Sequence, residues 1–182
     1  MTVVTLIGYR ATGKSSVAPQ LAARLNYHWI DADQDLEQRT NRSIPDIFAT
    51  EGEAEFRRLE AKYLHDLLAQ DKLVIASGGG AILNAQTRRI MQSAGPVVWL
   101  TARIETIAQR LSKDEDAGLT RPSLTGADIR DEVRAVLDLR QPLYRETAAI
   151  TVSTDERTVD DIVNEIMQQL ADTQASDKGS RS

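Results

Sequence analysis

Residues 6–18 read LIGYRATGKSSVA. Gly8 and Gly13 stand five residues apart, Lys14 and Ser15 follow at once, and an apolar run, Val3–Ile7, leads in. The stretch Gly8-Tyr9-Arg10-Ala11-Thr12-Gly13-Lys14-Ser15 fits G-x-x-x-x-G-K-[ST] at every fixed position. A loop that wraps a phosphate must turn its backbone N–H groups inward, which needs the positive φ that glycine tolerates. The helix that follows aims the positive end of its dipole at the anion. In such a loop Lys14 reaches the β- and γ-phosphates and the Ser15 hydroxyl holds Mg²⁺. The pattern therefore predicts a strand, a phosphate-binding loop and a helix. Pro19, inside that helix, deprives the Ser15 carbonyl of its donor and predicts a kink or a compensating contact.

The rest of the chain alternates in the same way. Short apolar runs at Val3–Ile7, His28–Ile30, Leu73–Ala76, Val97–Leu100 and Ala149–Val152 are separated by helix-length segments. Runs without polar alternation read as strands buried on both faces, and strand–helix alternation reads as a parallel sheet between two helical layers. Phe56, Leu59, Tyr63 and Leu67 form one helical stripe, and Ile162, Ile166 and Leu170 another. The reading is an α/β chain: a three-layer αβα fold with a parallel five-stranded sheet, as one domain over residues 1–171. Residues 113–125, KDEDAGLTRPSLT, are polar and broken by Gly118 and Pro122, and read as a mobile lid. Residues 172–182 lack large apolar side chains and read as a disordered tail.

Composition narrows the function. The 182 residues are 41% hydrophobic and carry a net charge of −5, which disfavours nucleic acid as a partner. Without cysteine and with two histidines, disulfides and Cys/His metal sites drop out. No apolar stretch is long enough to span a membrane, and no leader pattern is evident, so a cytoplasmic address is expected. Arginine outnumbers lysine seventeen to five. Codon bias can do this, and so can a need for bidentate grips on carboxylate and phosphate.

Asp31 and Asp33, in HWIDADQDLEQ, end the second strand on the side of the glycine loop. One carboxylate can serve Mg²⁺ through water and the other can take a proton from an attacking hydroxyl. The plainer alternative makes Asp33 a helix N-cap. In EGEAEFRRLEAKYL, Arg57 and Glu60 lie one helical turn apart. Either they form a surface ion pair, or Glu60 holds Arg57 ready for a substrate carboxylate. Gly78, Gly79 and Gly80 at a strand end are either a flexible turn or a place where backbone closes on a ligand.

Taken in order, GYRATGKSS, DAD, EAEFRRLE, SGGGA, and TRPSL followed by RQPLYR resemble the shikimate kinases, from Thr5 to about Glu146. The resemblance implies a P-loop kinase that uses ATP and Mg²⁺ to phosphorylate the 3-hydroxyl of shikimate, on the route to chorismate and the aromatic amino acids. It implies that Gly8, Ala11, Thr12, Gly13, Lys14, Ser15 and Ser16 cradle the nucleotide, with Ser15 and Asp31 at the metal. Asp33 would contact the shikimate hydroxyls and act as base, with Lys14 and Arg121 as the other catalytic residues. Arg57, Arg140 and Gly78–Gly80 would bind shikimate, Arg121 would swing in with the lid, and Arg110 would lie against adenine. A monomer is implied. Ala11 and Ser16 depart mildly from the usual glycine and threonine. The lid is longer than in compact members and carries Asp114, Glu115 and Asp116, which puts weight on the placement of Arg110. A gluconate-type kinase, which would not need Arg57, the three glycines and Arg140 together, and a non-catalytic nucleotide-binding regulator remain the alternatives.

Overall fold

The computed structural model describes residues 3–116 and 128–179. Five strands, β1 (Val3–Ile7), β2 (His28–Asp31), β3 (Leu73–Ala76), β4 (Val97–Thr101) and β5 (Ile150–Ser153), form one parallel sheet in the order β2-β3-β1-β4-β5. Between them run α1 (Lys14–Leu25), α2 (Ala32–Thr40), α3 (Ile44–Leu68), α4 (Ala85–Ala94), α5 (Ile104–Asp116) and α6 (Ile129–Thr147), with α7 (Val159–Gly179) last.

The three central strands are apolar at nearly every position because both of their faces are covered. Val4 and Leu6 of β1 join Val74, Val98 and Leu100 in a cluster beneath α1 and α7. Val3 and Ile7, pointing the other way, join Leu73, Ile75, Val97 and Trp99 against α3, α4 and α6. Each fully buried aliphatic side chain is worth about 1.5–3 kcal/mol. A third cluster, Tyr9, Ile107, Leu111, Val133 and Leu137, ties α5 and α6 to the glycine loop. Neighbouring β1 and β3 are followed by helices on opposite faces, and the crevice at their carboxyl ends is where such sheets bind ligands.

Several expectations change. The second run was expected to be buried on both faces; β2 is an edge strand, and its Trp29 is 43% exposed. Helix α1 continues through Pro19 to Leu25. The helix read around Phe56 starts earlier, at Ile44, and is interrupted at Gly52, whose φ of 83° and ψ of 171° divide it in two. The segment expected to be a disordered tail is helical as far as Gly179. Extending a helix already anchored by Ile162, Ile166 and Leu170 needs no new nucleus, and Thr173 donates back to the Gln169 carbonyl. Of the expected lid, residues 113–116 form the end of α5, and the rest, with Arg121, lies outside the described residues. Among the described residues no helix is long and apolar enough to cross a membrane.

Candidate active site

Gly8 and Gly13 take φ values of 143° and 94°, and a side chain at Gly8 would collide with the Leu100 carbonyl and Thr12 Oγ1. Ala11 also adopts a left-handed φ, of 60°. The alanine was expected to be a mild departure; for an L-residue this conformation costs roughly 1–2 kcal/mol that glycine would not incur. Arg110 Nη1 braces that strained residue by donating to its carbonyl at 3.0 Å.

Lys14 is buried, and its Nζ donates to the carbonyls of Gly8 and Tyr9 at 2.9 and 2.8 Å. Burial pushes its pKa down to about 8, against the opposing pull of Asp33 and Asp31. The Ser15 hydroxyl donates to Asp31. Asp31, not Asp33, caps α2, accepting from the Gln34 N–H at 3.2 Å. Asp33 therefore lies in the first turn of α2 rather than on the strand. Both carboxylates still line one cavity of about 290 Å³ with Arg10, Lys14, Ser15, Ser77 and Gly79. Two hard oxygen groups, a hydroxyl and a carboxylate, beside a phosphate-binding loop suit Mg²⁺, which takes few protein ligands and completes its shell with water and phosphate.

The other half of the site is built on the three glycines. A Cβ on Gly78 would stand 2.6 Å from Asp33 Oδ1 and 2.7 Å from Glu60 Oε1, so the bare backbone lets two carboxylates close on the turn. A Cβ on Gly80 would strike the Arg57 guanidinium. Arg140 Nη1 donates to the Gly79 carbonyl at 3.0 Å. The Arg57–Glu60 contact forms at 2.7 Å, with the Glu60 side chain only 7% exposed. Burial raises the Glu60 pKa, Arg57 opposes the rise, and Asp33 adds to it. Glu60 Oε1 is buried against the Gly78 backbone and has no hydrogen-bond partner among the described residues.

A second cavity of about 320 Å³ opens beyond the loop, between Ala11, Gly13, Arg110, Thr154, Arg157 and Val159. Arg110 is fixed there by bonds to Thr154 Oγ1 and its carbonyl at 3.1 and 2.9 Å. Sequence reading missed Arg157, which Glu165 holds in place, and Tyr144, whose hydroxyl donates to the Gly79 carbonyl at 2.7 Å. Nothing local marks either one. A tyrosine in an apolar helical stripe reads as core, and Arg157 shares a cavity with Ala11 and Gly13 only because β5 ends beside the loop.

A phosphate cradle that opens a helix, an acidic group beside it and paired arginines across a glycine turn define a P-loop phosphotransferase acting on a small anionic alcohol. The shikimate kinase family model matches residues 10–171. The chain is 40% identical to a shikimate kinase of Thermus thermophilus over 169 residues, 93% of this chain and 90% of that protein. It is 40% identical to that of Pseudomonas paraeruginosa over 170 residues, covering 93% and 96% of the two chains. The chain belongs to the shikimate kinase family. Among solved structures, shikimate kinase from Acinetobacter baumannii in complex with shikimate matches with a TM-score of 0.87 and 34% identity over 95% of this chain and 94% of that one. A gluconokinase from Sinorhizobium meliloti matches at a TM-score of 0.57 and 16% identity, covering 100% of this chain and 97% of that one, a likeness of fold alone.

Proposed function

We propose that this shikimate kinase family member transfers the γ-phosphoryl group of ATP to the 3-hydroxyl of shikimate with Asp33 as base. The observation that carries the assignment is the single cavity in which Lys14, Asp31 and Asp33 face Gly79, whose carbonyl Arg140 grips. Asp33 accepts the hydroxyl proton as the oxygen attacks the γ-phosphorus. The bond from that phosphorus to the β–γ bridging oxygen breaks, and ADP leaves. Lys14 stabilises the charge that spreads over the transferring group, and Arg121, within the expected lid, adds to it. Arg57 and Arg140 hold the shikimate carboxylate, and the Gly78–Gly80 backbone lets the ring approach. Ser15 and Asp31 would hold Mg²⁺, which when bound neutralises phosphate charge. Arg110 and Arg157 border the cavity that suits the nucleotide base. The working form is a cytoplasmic monomer.

The test is ADP release with shikimate against a panel of hydroxy acids, repeated with Asp33→Asn. Shikimate should be the preferred acceptor. The variant should bind ATP within about twofold of the parent while turnover falls roughly 10²–10⁴-fold, the range for loss of a general base. Turnover unchanged in the variant removes Asp33 as base, and a better acceptor than shikimate overturns the substrate.

A further inference from the structure

The guanidinium of Arg57 is already engaged. Its Nη1 donates to Glu60 at 2.7 Å, while Nε and Nη2 both donate to Glu53 at 3.3 Å. A guanidinium offers a carboxylate two paired-donor edges, Nε with Nη2 and Nη1 with Nη2. A single Glu53 oxygen, Oε1, accepts from both donors of the first edge, and Glu60 Oε2 accepts from Nη1 of the second. A substrate carboxylate can dock with two parallel hydrogen bonds only if one glutamate yields.

The structure indicates which one. The Glu60 side chain is 7% exposed, so freeing it would leave a bare buried charge. The Glu53 side chain is 62% exposed and its bonds are long for charge-assisted ones, which run to about 2.7–2.9 Å. Glu53 also directly follows Gly52, where α3 breaks, and nothing lies within 4 Å of where a Gly52 Cβ would be. A cavity of about 280 Å³ lined by Glu53, Arg57, Glu60, Leu83 and Asn84 lies on the same side and can receive the displaced carboxylate.

We propose that Glu53 is a built-in stand-in for the substrate carboxylate. It holds Arg57 extended while the pocket is free of substrate and is displaced when the acid binds. The inference rests on reading Arg57 as the carboxylate grip. It makes Glu53 a specificity residue. A planar carboxylate that meets Nε and Nη2 with two oxygens makes two parallel bonds where Glu53 Oε1 makes one shared contact, whereas chloride only exchanges one shared contact for another.

The test is Glu53→Gln, which keeps the shape and removes the charge, beside Glu55→Gln, which removes a charge from the same helix that pairs with Arg58 instead. Glu53→Gln should lower the shikimate KM and Kd about two- to fivefold, the span of an exposed ion pair. The KM for ATP and kcat should stay within experimental error. Chloride should become a measurable competitor of shikimate. A KM and Kd that stay constant or rise, or that fall equally in Glu55→Gln, overturn the displacement. Calorimetric binding of shikimate beside turnover keeps the two readings apart: absent wild-type turnover sinks the assigned reaction, and an unchanged Kd in Glu53→Gln sinks the stand-in.

Discussion

Gly80→Ala adds one methyl group to the wall of the substrate pocket and isolates the role of Arg57. Gly80 has φ −101° and ψ −3°, values that alanine adopts freely, so the backbone is not strained. The new Cβ would stand 2.5 Å from Arg57 Cζ and 2.6 Å from Nη2, and closer still to Nη1. Carbon–nitrogen contacts settle at about 3.5 Å, so the guanidinium must retreat by about 1 Å. The tip of a long side chain can do this without unfolding the protein, but it leaves the line of its paired hydrogen bonds. A charge-assisted bond is worth about 1.5–3 kcal/mol, and 1.4 kcal/mol is tenfold, so the shikimate KM should rise roughly 10- to 100-fold. A displacement of about 1 Å at a substrate clamp has an effect of that order. The nucleotide half of the site is untouched, and the KM for ATP should move by less than about twofold. Steady-state kinetics with each substrate varied in turn, plus a thermal melt, check this. An unchanged shikimate KM in a folded variant, or equal rises for both substrates, would refute the placement of Arg57 at the carboxylate.

Tyr144→Phe removes one of two donors to the Gly79 carbonyl and leaves the stack on Trp99, at 5.6 Å between ring centroids. Stability should drop by about 1 kcal/mol and the shikimate KM should rise severalfold, with the KM for ATP unchanged, as kinetics and denaturant titration would report. Because burial raises the Tyr144 phenol to about 12, the effect should be flat from pH 6 to 9. Lys14 supplies a pH dependence of its own. Its pKa is lowered from 10.5 to about 8 in the free protein, so the charge it offers phosphate is lost above that value. ATP affinity, followed by calorimetry, should fall by up to about tenfold per pH unit above pH 8. Stability has the opposite sign. The unfolded chain keeps the proton up to pH 10.5, so the penalty of charging Lys14 is full below pH 8 and is relieved as pH rises between the two values. Lys14→Met should flatten both slopes, and persistence of the affinity slope would assign it to another group.

Much of this protein is written locally. The strand–loop–helix opening follows from Gly8, Gly13, Lys14 and Ser15 because positive φ and inward N–H groups are properties of a few consecutive residues. The strands fall within a residue of their apolar runs, since the inner ones must be apolar on both faces. Arg57 meets Glu60 because the helical period alone puts them side by side. Local spacing is silent about docking. Only the folded chain puts β3 between β1 and β2, and so carries Gly78–Gly80 to the rim beside Asp33. Only there does β2 become an edge, with Trp29 half in solvent, and capping pass from Asp33 to Asp31. Tyr144 and Arg140 converge on the Gly79 carbonyl through contacts that no window of neighbouring residues contains. Sequence alone determined the elements and the chemistry they carry. Tertiary packing decided which of those groups share a cavity, because that depends on burying faces far apart along the chain.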